Sequence, residues 1–155
     1  MYTFPVQSIR QTLAKKCTLQ NIVVNGWIRS IRNQKSAVFL DINDGSTLEA
    51  LQVLVTPQMI IGLTTGASVR IRGNLAKCPS TSKAGQMELV ATETTVWGST
   101  NDYPLHKGRL PMDFLRSHLH LRSRTKTFGA VWRIRDSMYR GIHDFYSVSI
   151  ICNLR

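Results

Sequence analysis

A mainly β fold is predicted for this chain: a five-stranded barrel over residues 1–98, a hinge over 99–110, and one or two helices over 111–155. Three features predict it. From Ile22 to Gly98, apolar residues alternate with polar ones at a period of two, in short runs rich in β-branched side chains. Clusters of turn-forming residues, "NDGS" and "CPSTSKAG", interrupt those runs. Past Trp97 the alternation stops; after a polar stretch with Gly and Pro, apolar residues recur every three or four positions.

The elements follow in order. "VQSIRQTLAKK" reads as a short helix leading into the first strand. Five strands are expected, at Ile22 to Asn33, Ser36 to Ile42, Leu48 to Thr56, Ser68 to Leu75 and Gln86 to Trp97. Between the third and fourth, "PQMIIGLTTG" opens with Pro57 and closes on glycine, which suits a short helix. Three strands, a helix and two strands is the order of an OB-fold barrel, a small Greek-key barrel that carries nucleic acid on one face. An SH3-like barrel is the structural rival.

Alternation assigns the faces. Val38, Leu40 and Ile42 share the core side of the second strand, so Ala37, Phe39 and Asp41 project outward. Leu51, Val53 and Val55 turn Gln52 out; Met87, Leu89 and Ala91 turn Glu88 out; Val69 and Ile71 oppose Arg70 and Arg72. Arg29 and Arg32 cannot both keep strict alternation in the long first strand, which predicts a bulge near Ser30. Gly26 lets that strand bend, and Trp27 reads as packing. An outward aromatic, an amide, a carboxylate and guanidinium groups suit a single-stranded nucleic acid. Bases stack on Phe39, arginines hold phosphates, and Gln52 or Glu88 reads base edges. Taken singly, these residues equally fit solvated surface groups, with Phe39 covered by a helix or a partner subunit.

Beyond the barrel, "GSTNDYPLHKGR" reads as a hinge, and Pro111 is placed to open a short helix. A longer helix is expected from about Thr127 to Tyr146, with Val131, Ile134, Met138, Ile142 and Phe145 as an apolar stripe that needs a partner. All four histidines, His106, His118, His120 and His143, lie in this segment, yet no Cys, Asp or Glu cluster completes a metal set. No Gly-rich phosphate loop, GxSxG or Cys–His arrangement is present, so no catalytic residue is assigned.

Composition narrows the partners. With 20 Lys and Arg against 9 Asp and Glu, the chain carries a formal charge of +11 and a pI near 10.2, which favours polyanions. Three dispersed cysteines, Cys17, Cys78 and Cys152, form no close-spaced metal pair and no disulfide framework, and read as buried or inert thiols in a reducing compartment. No apolar run approaches the roughly 20 residues of a spanning helix, so no membrane partner is expected.

At three stretches the chain resembles the class II aminoacyl-tRNA synthetases of the aspartate, asparagine and lysine subgroup. They are "VVNGWIRSIRNQKSAVFLDINDGSTLEALQVLV", "GQMELVATETTVWG" and "YPLHKGRLPMDFLRSHLHLRSRTKTFGAVWRIRDSMYRGIHDFY". The last is most similar to the asparaginyl branch. The resemblance implies an asparagine–tRNA ligase fragment whose barrel binds the anticodon of tRNA-Asn. Phe39 would stack on the central uracil, Gln52 and Arg32 would contact that base, and Glu88 would read the first anticodon base. Arg29, Lys35, Arg70 and Arg72 would supply contacts to the RNA backbone. Ala76 and Cys78 stand where aspartyl relatives carry basic residues, a departure from the family pattern at the positions expected to meet the anticodon stem.

After Tyr146 the family continues into its first motif, whereas this chain reads "SVSIICNLR", and the second and third motifs have no counterpart. Residues 111–155 are therefore expected to be the start of a truncated class II catalytic domain, inactive alone. Cofactors follow the same division: none in this chain, with ATP and Mg, and a homodimer, belonging to the full-length enzyme. An acid-free, basic start and a barrel similar to the bacterial and organellar type lead to the expectation of a mitochondrial protein, with the cytoplasm as the alternative. Two other classes stay open: a standalone tRNA or single-stranded nucleic-acid-binding OB module, and an interaction protein whose barrel face is covered.

Overall fold

A computed structural model describes residues 6–34, 37–78, 86–105 and 108–153, with the backbone alone for 149–153. They divide into two compact units, 1–108 and 109–155.

The first unit is a closed barrel of five strands, β1 (Leu19–Asn33), β2 (Val38–Asn43), β3 (Leu51–Val55), β4 (Ser68–Lys77) and β5 (Met87–Gly98), in the order β1-β2-β3-β5-β4. β3 and β5 run parallel and the other pairs antiparallel. At 15 residues, β1 serves two neighbours: its first half pairs with β4 and its second half with β2, changing partner at Trp27 beside Gly26. This double use closes the barrel and removes the exposed edges an open sheet would leave. The expected inward rows line the core: Val38, Leu40 and Ile42; Leu51, Val53 and Val55; Val69 and Ile71; Met87, Leu89 and Ala91, all buried.

Element boundaries differ where side chains capture the backbone. β3 begins at Leu51 rather than Leu48, because the Asn43 amide donates to the carbonyls of Thr47 (2.9 Å) and Glu49 (2.7 Å) and holds the preceding residues in a loop. β1 begins earlier than expected, at Leu19, passing an irregularity at Asn21, whose φ of 54° an asparagine tolerates better than most residues. The expected helix after β3 is only a 3-10 turn, Pro57–Met59, since the chain turns again at Gly62 and Gly66, both at positive φ. Trp27, expected to pack, is 37% exposed, and Cys17, expected buried or inert, is exposed.

The short helix α1 (Ile9–Ala14) forms as expected, with a capping box in which Ser8 and Gln11 bond reciprocally. The β2–β3 loop tethers it. Asp44 accepts from the Ile9 amide (2.9 Å) and from the Ser46 amide (2.9 Å) and hydroxyl (2.6 Å), and Ser46 accepts from the Arg10 amide (3.0 Å). Burial by itself would raise the Asp44 carboxyl, but the hydrogen bonds from Ser46 and Ile9 outweigh it and hold the carboxyl below its ordinary value. The stability it contributes is therefore present at neutral pH, above the unfolded value, and is lost as pH falls through the lower folded value. Asp44→Ala is expected to cost about 1–3 kcal/mol by leaving the Ile9 amide without its acceptor. Denaturant melts at pH 6 and pH 3 check both statements: wild type should lose more stability on acidification than the variant, and equal losses would reject the role.

The segment expected to be a hinge contacts the barrel at Thr100 and Tyr103, and Leu105 is buried. Tyr103 lies over Gly66, where a Cβ would collide with its ring, and the Thr100 amide donates to the Thr64 hydroxyl (3.3 Å). Glycine at 66 thus provides both the backbone turn and the seat for Tyr103.

The second unit contains α2 (Met112–Ser117), a 3-10 turn at Arg122–Arg124, and α3 (Lys126–Asn153). Pro111 precedes α2 as expected. Thr125 opens α3: its hydroxyl accepts from the Phe128 amide at 3.4 Å. α3 runs past the expected end at Tyr146, continuing through the tail "SVSIICN". Val131, Ile134, Met138, Ile142 and Phe145 are exposed along it.

Candidate nucleic-acid interface

The register gathers the predicted residues. A bulge lies between Ile28 and Ser30, as the spacing of the two arginines required, with Arg29 as the extra residue. It brings Ser30 opposite Asp41 and Arg32 opposite Phe39. Partners in adjacent strands share a face. One outer row therefore reads Ser30, Asp41, Gln52, Glu88 and Ala76 across β1, β2, β3, β5 and β4. The adjoining row reads Arg32, Phe39, Leu54, Val90 and Asn74.

The polar row is a connected hydrogen-bond chain. The Ser30 hydroxyl donates to Asp41 Oδ2 (2.6 Å), and Arg32 Nη2 reaches Asp41 Oδ1 (3.5 Å) and donates to Gln52 Oε1 (3.2 Å). Gln52 Nε2 then donates to Glu88 Oε2 (3.0 Å). Arg32 also lies over the Phe39 ring, 5.9 Å from its centroid, within cation–π range. The apolar row sets Phe39 and Leu54, both half-buried, next to the partly exposed Val90. The result is an aromatic platform on an apolar strip, bordered by a line of fixed donors and acceptors. Such a surface can hold an unpaired base by its face and by its edge.

Not every expected residue joins it. Glu88 occupies the outer row but is only 5% exposed, so the expectation of a solvent-facing carboxylate needs correcting: it is a buried acceptor held against Gln52. Arg70 stands opposite Asn25 and Thr95, and Arg72 opposite Val23 and Glu93, in rows separate from those of Phe39 and Gln52. Arg72 lies 3.9 Å from Glu93 and donates to the Asn21 side chain (3.5 Å). Arg29 is half-buried in the bulge. Lys35 lies outside the described residues, as does His106. Among the described residues no three His, Cys, Asp or Glu side chains come together to hold a metal ion, and no helix is long and apolar enough to cross a membrane.

Leu54 and Val90 carry no signal of this role in the sequence, Ser30 marks only the place of the predicted bulge, and Asp41 only an outward position. Alternation places Asp41 on the side of Phe39, but Ser30 joins the site only through its pairing with Asp41, and Val90 only through its pairing with Leu54 of a strand distant in sequence.

The chain and its barrel are similar to known proteins. Residues 22–97 match the family model described as an OB-fold nucleic acid binding domain, of the tRNA anticodon class. The chain is 40% identical over 145 residues to the asparagine–tRNA ligase of Geobacter sulfurreducens, covering 90% of this chain and 31% of that protein. It is 40% identical over 147 residues to the asparaginyl-tRNA synthetase of Homo sapiens, covering 92% and 30%. It thus spans about a third of the length of the curated relatives it matches. Among solved structures, the asparaginyl-tRNA synthetase of Entamoeba histolytica in complex with asparaginyl-adenylate superposes with a TM-score of 0.68 over 95% of this chain and 36% of that one. At 20% identity this likeness concerns the fold alone.

Proposed function

We propose that this chain binds the anticodon of tRNA-Asn, because residues 22–97 match the family model of an OB-fold nucleic acid binding domain and the chain aligns over nine-tenths of its length with an asparagine–tRNA ligase. Phe39 stacks on the central base, Gln52 and Arg32 meet the edge of that base, and Glu88 acts from behind Gln52 and toward the first anticodon base. The observation that supports this reading best is the convergence of Phe39, Arg32, Gln52 and Glu88 on two adjoining rows of one face. Stacking supplies affinity that tolerates any base, and the fixed amide and guanidinium supply selection. The charge of +11 contributes attraction to the phosphates that is independent of sequence and weakens with salt.

Aminoacylation with asparagine, together with its ATP and Mg, belongs in this proposal to the whole protein. This chain contributes recognition to it.

The test is a salt titration of binding to a tRNA-Asn transcript and to the same transcript with its central anticodon base replaced. The replacement is expected to weaken binding by about 1–3 kcal/mol at every salt concentration, while the slopes of the two salt plots stay equal. Equal affinities would leave only nonspecific polyanion binding and reject anticodon recognition.

A further inference from the structure

The Gln52 side chain sits between partners of opposite kind. On its oxygen side is Arg32, whose guanidinium donates; on its nitrogen side is Glu88, whose carboxylate oxygen accepts. Both contacts would turn repulsive if the amide rotated by half a turn. Arg32 is itself anchored by Asp41, and Asp41 by the hydroxyl of the buried Ser30. Glu88, at 5% exposed, is held on the other side by burial.

We infer that Glu88 on one side, and Asp41 with Ser30 acting through Arg32 on the other, lock the polarity of the Gln52 amide, and that this lock selects uracil over cytosine. The inference rests on the anticodon reading above. An amide of free orientation is a poor discriminator between the two pyrimidines. Uracil presents an N3–H donor beside the O4 acceptor, and cytosine presents the N3 acceptor beside the N4 amino donor, so half a turn of the amide converts a match to one into a match to the other. With the ring position set by stacking on Phe39, only the amide's orientation remains to choose. A donating neighbour and an accepting neighbour make that choice before the base arrives. Asp41, Ser30 and Glu88 are in this respect positioning residues: they act on the base through Gln52.

The experiment uses the full 155-residue chain and two tRNA-Asn transcripts, differing only in U or C at the central anticodon position. The readout is the ratio of their dissociation constants at fixed salt. Glu88→Gln, which makes the accepting side ambivalent, and Asp41→Asn, which releases Arg32, should each reduce the U-over-C ratio at least five-fold. Because the first anticodon base is the same in both transcripts, any contact of Glu88 with it cancels in the ratio. In a Gln52→Ala background neither substitution should change the ratio further, a coupling that a general structural defect would not produce. Ser30→Thr, which keeps the hydroxyl, should retain the ratio that Ser30→Ala lowers. Wild-type ratios in both Glu88→Gln and Asp41→Asn would overturn the lock while leaving anticodon recognition intact, as would losses undiminished in the Gln52→Ala background. A wild type indifferent to U and C would instead overturn the anticodon reading and the lock with it.

Discussion

Phe39→Ala is expected to weaken binding of the tRNA-Asn transcript by about 1–3 kcal/mol, roughly 5- to 150-fold, while leaving the barrel folded. The size follows from base–aromatic stacking. The selectivity for binding follows from position: Phe39 is half-buried on the outer side of β2, and its inward neighbours Val38 and Leu40 are the residues that fill the core. Truncating it opens no cavity among them, so the penalties of about 3–5 kcal/mol seen when a core Phe is removed do not apply. Arg32 loses its contact with the ring but keeps Asp41 and Gln52. Fluorescence anisotropy with labelled transcript, alongside a thermal melt, separates the two effects. An unchanged dissociation constant would show that the ring is not a stacking platform, and a collapsed melting temperature would show that it is part of the core.

The largest effect on stability is expected at Gly73. It sits on β4 opposite Ala91, next to the register shift at Arg72, and a Cβ there would fall on the Val90 carbonyl oxygen and within 3.0 Å of Ala91 Cα. These are backbone atoms of β5, and β5 is held on its other side by β3. A closed barrel gives the strand no free direction in which to retreat. Ordinary overpacking costs about 1–3 kcal/mol because side chains can shift; where backbone must move against two ladders, Gly73→Ala should reach the upper end of that range or exceed it. For a domain of this size that corresponds to a fall in melting temperature of about 10 °C or more. A melt by circular dichroism checks it, and a variant melting within a degree or two of wild type would mean that β4 and β5 separate more easily than their pairing suggests.

These two residues illustrate what could be read before the structure and what could not. The outward position of Phe39 follows from Val38, Leu40 and Ile42 alone, because strand side chains alternate strictly. The bulge near Ser30 was legible for a related reason: two arginines three residues apart cannot both face water without one extra residue. The importance of Gly73 was invisible, since a glycine in a strand pattern does not say which backbone approaches it. The packing of Tyr103 on Gly66 was hidden for the same reason, so a polar, Gly- and Pro-containing stretch read as a hinge although it contacts the barrel at Thr100 and Tyr103. Glu88 was placed on the correct side but not at the correct depth, because periodicity gives direction and neighbours give burial.

Periodic hydrophobicity and turn chemistry, which act between residues close in sequence, were sufficient for the sequence by itself to determine the five strands, their inward rows, the outward Phe39, Gln52 and Arg32, and the C-terminal helix. Only the tertiary structure decided that Ser30, Asp41, Arg32, Gln52 and Glu88 form one hydrogen-bonded line, and that Arg70 and Arg72 stand apart from it. That line joins four strands whose pairing depends on barrel closure and register, and a shift of one residue in any of them would send its side chains to the opposite face.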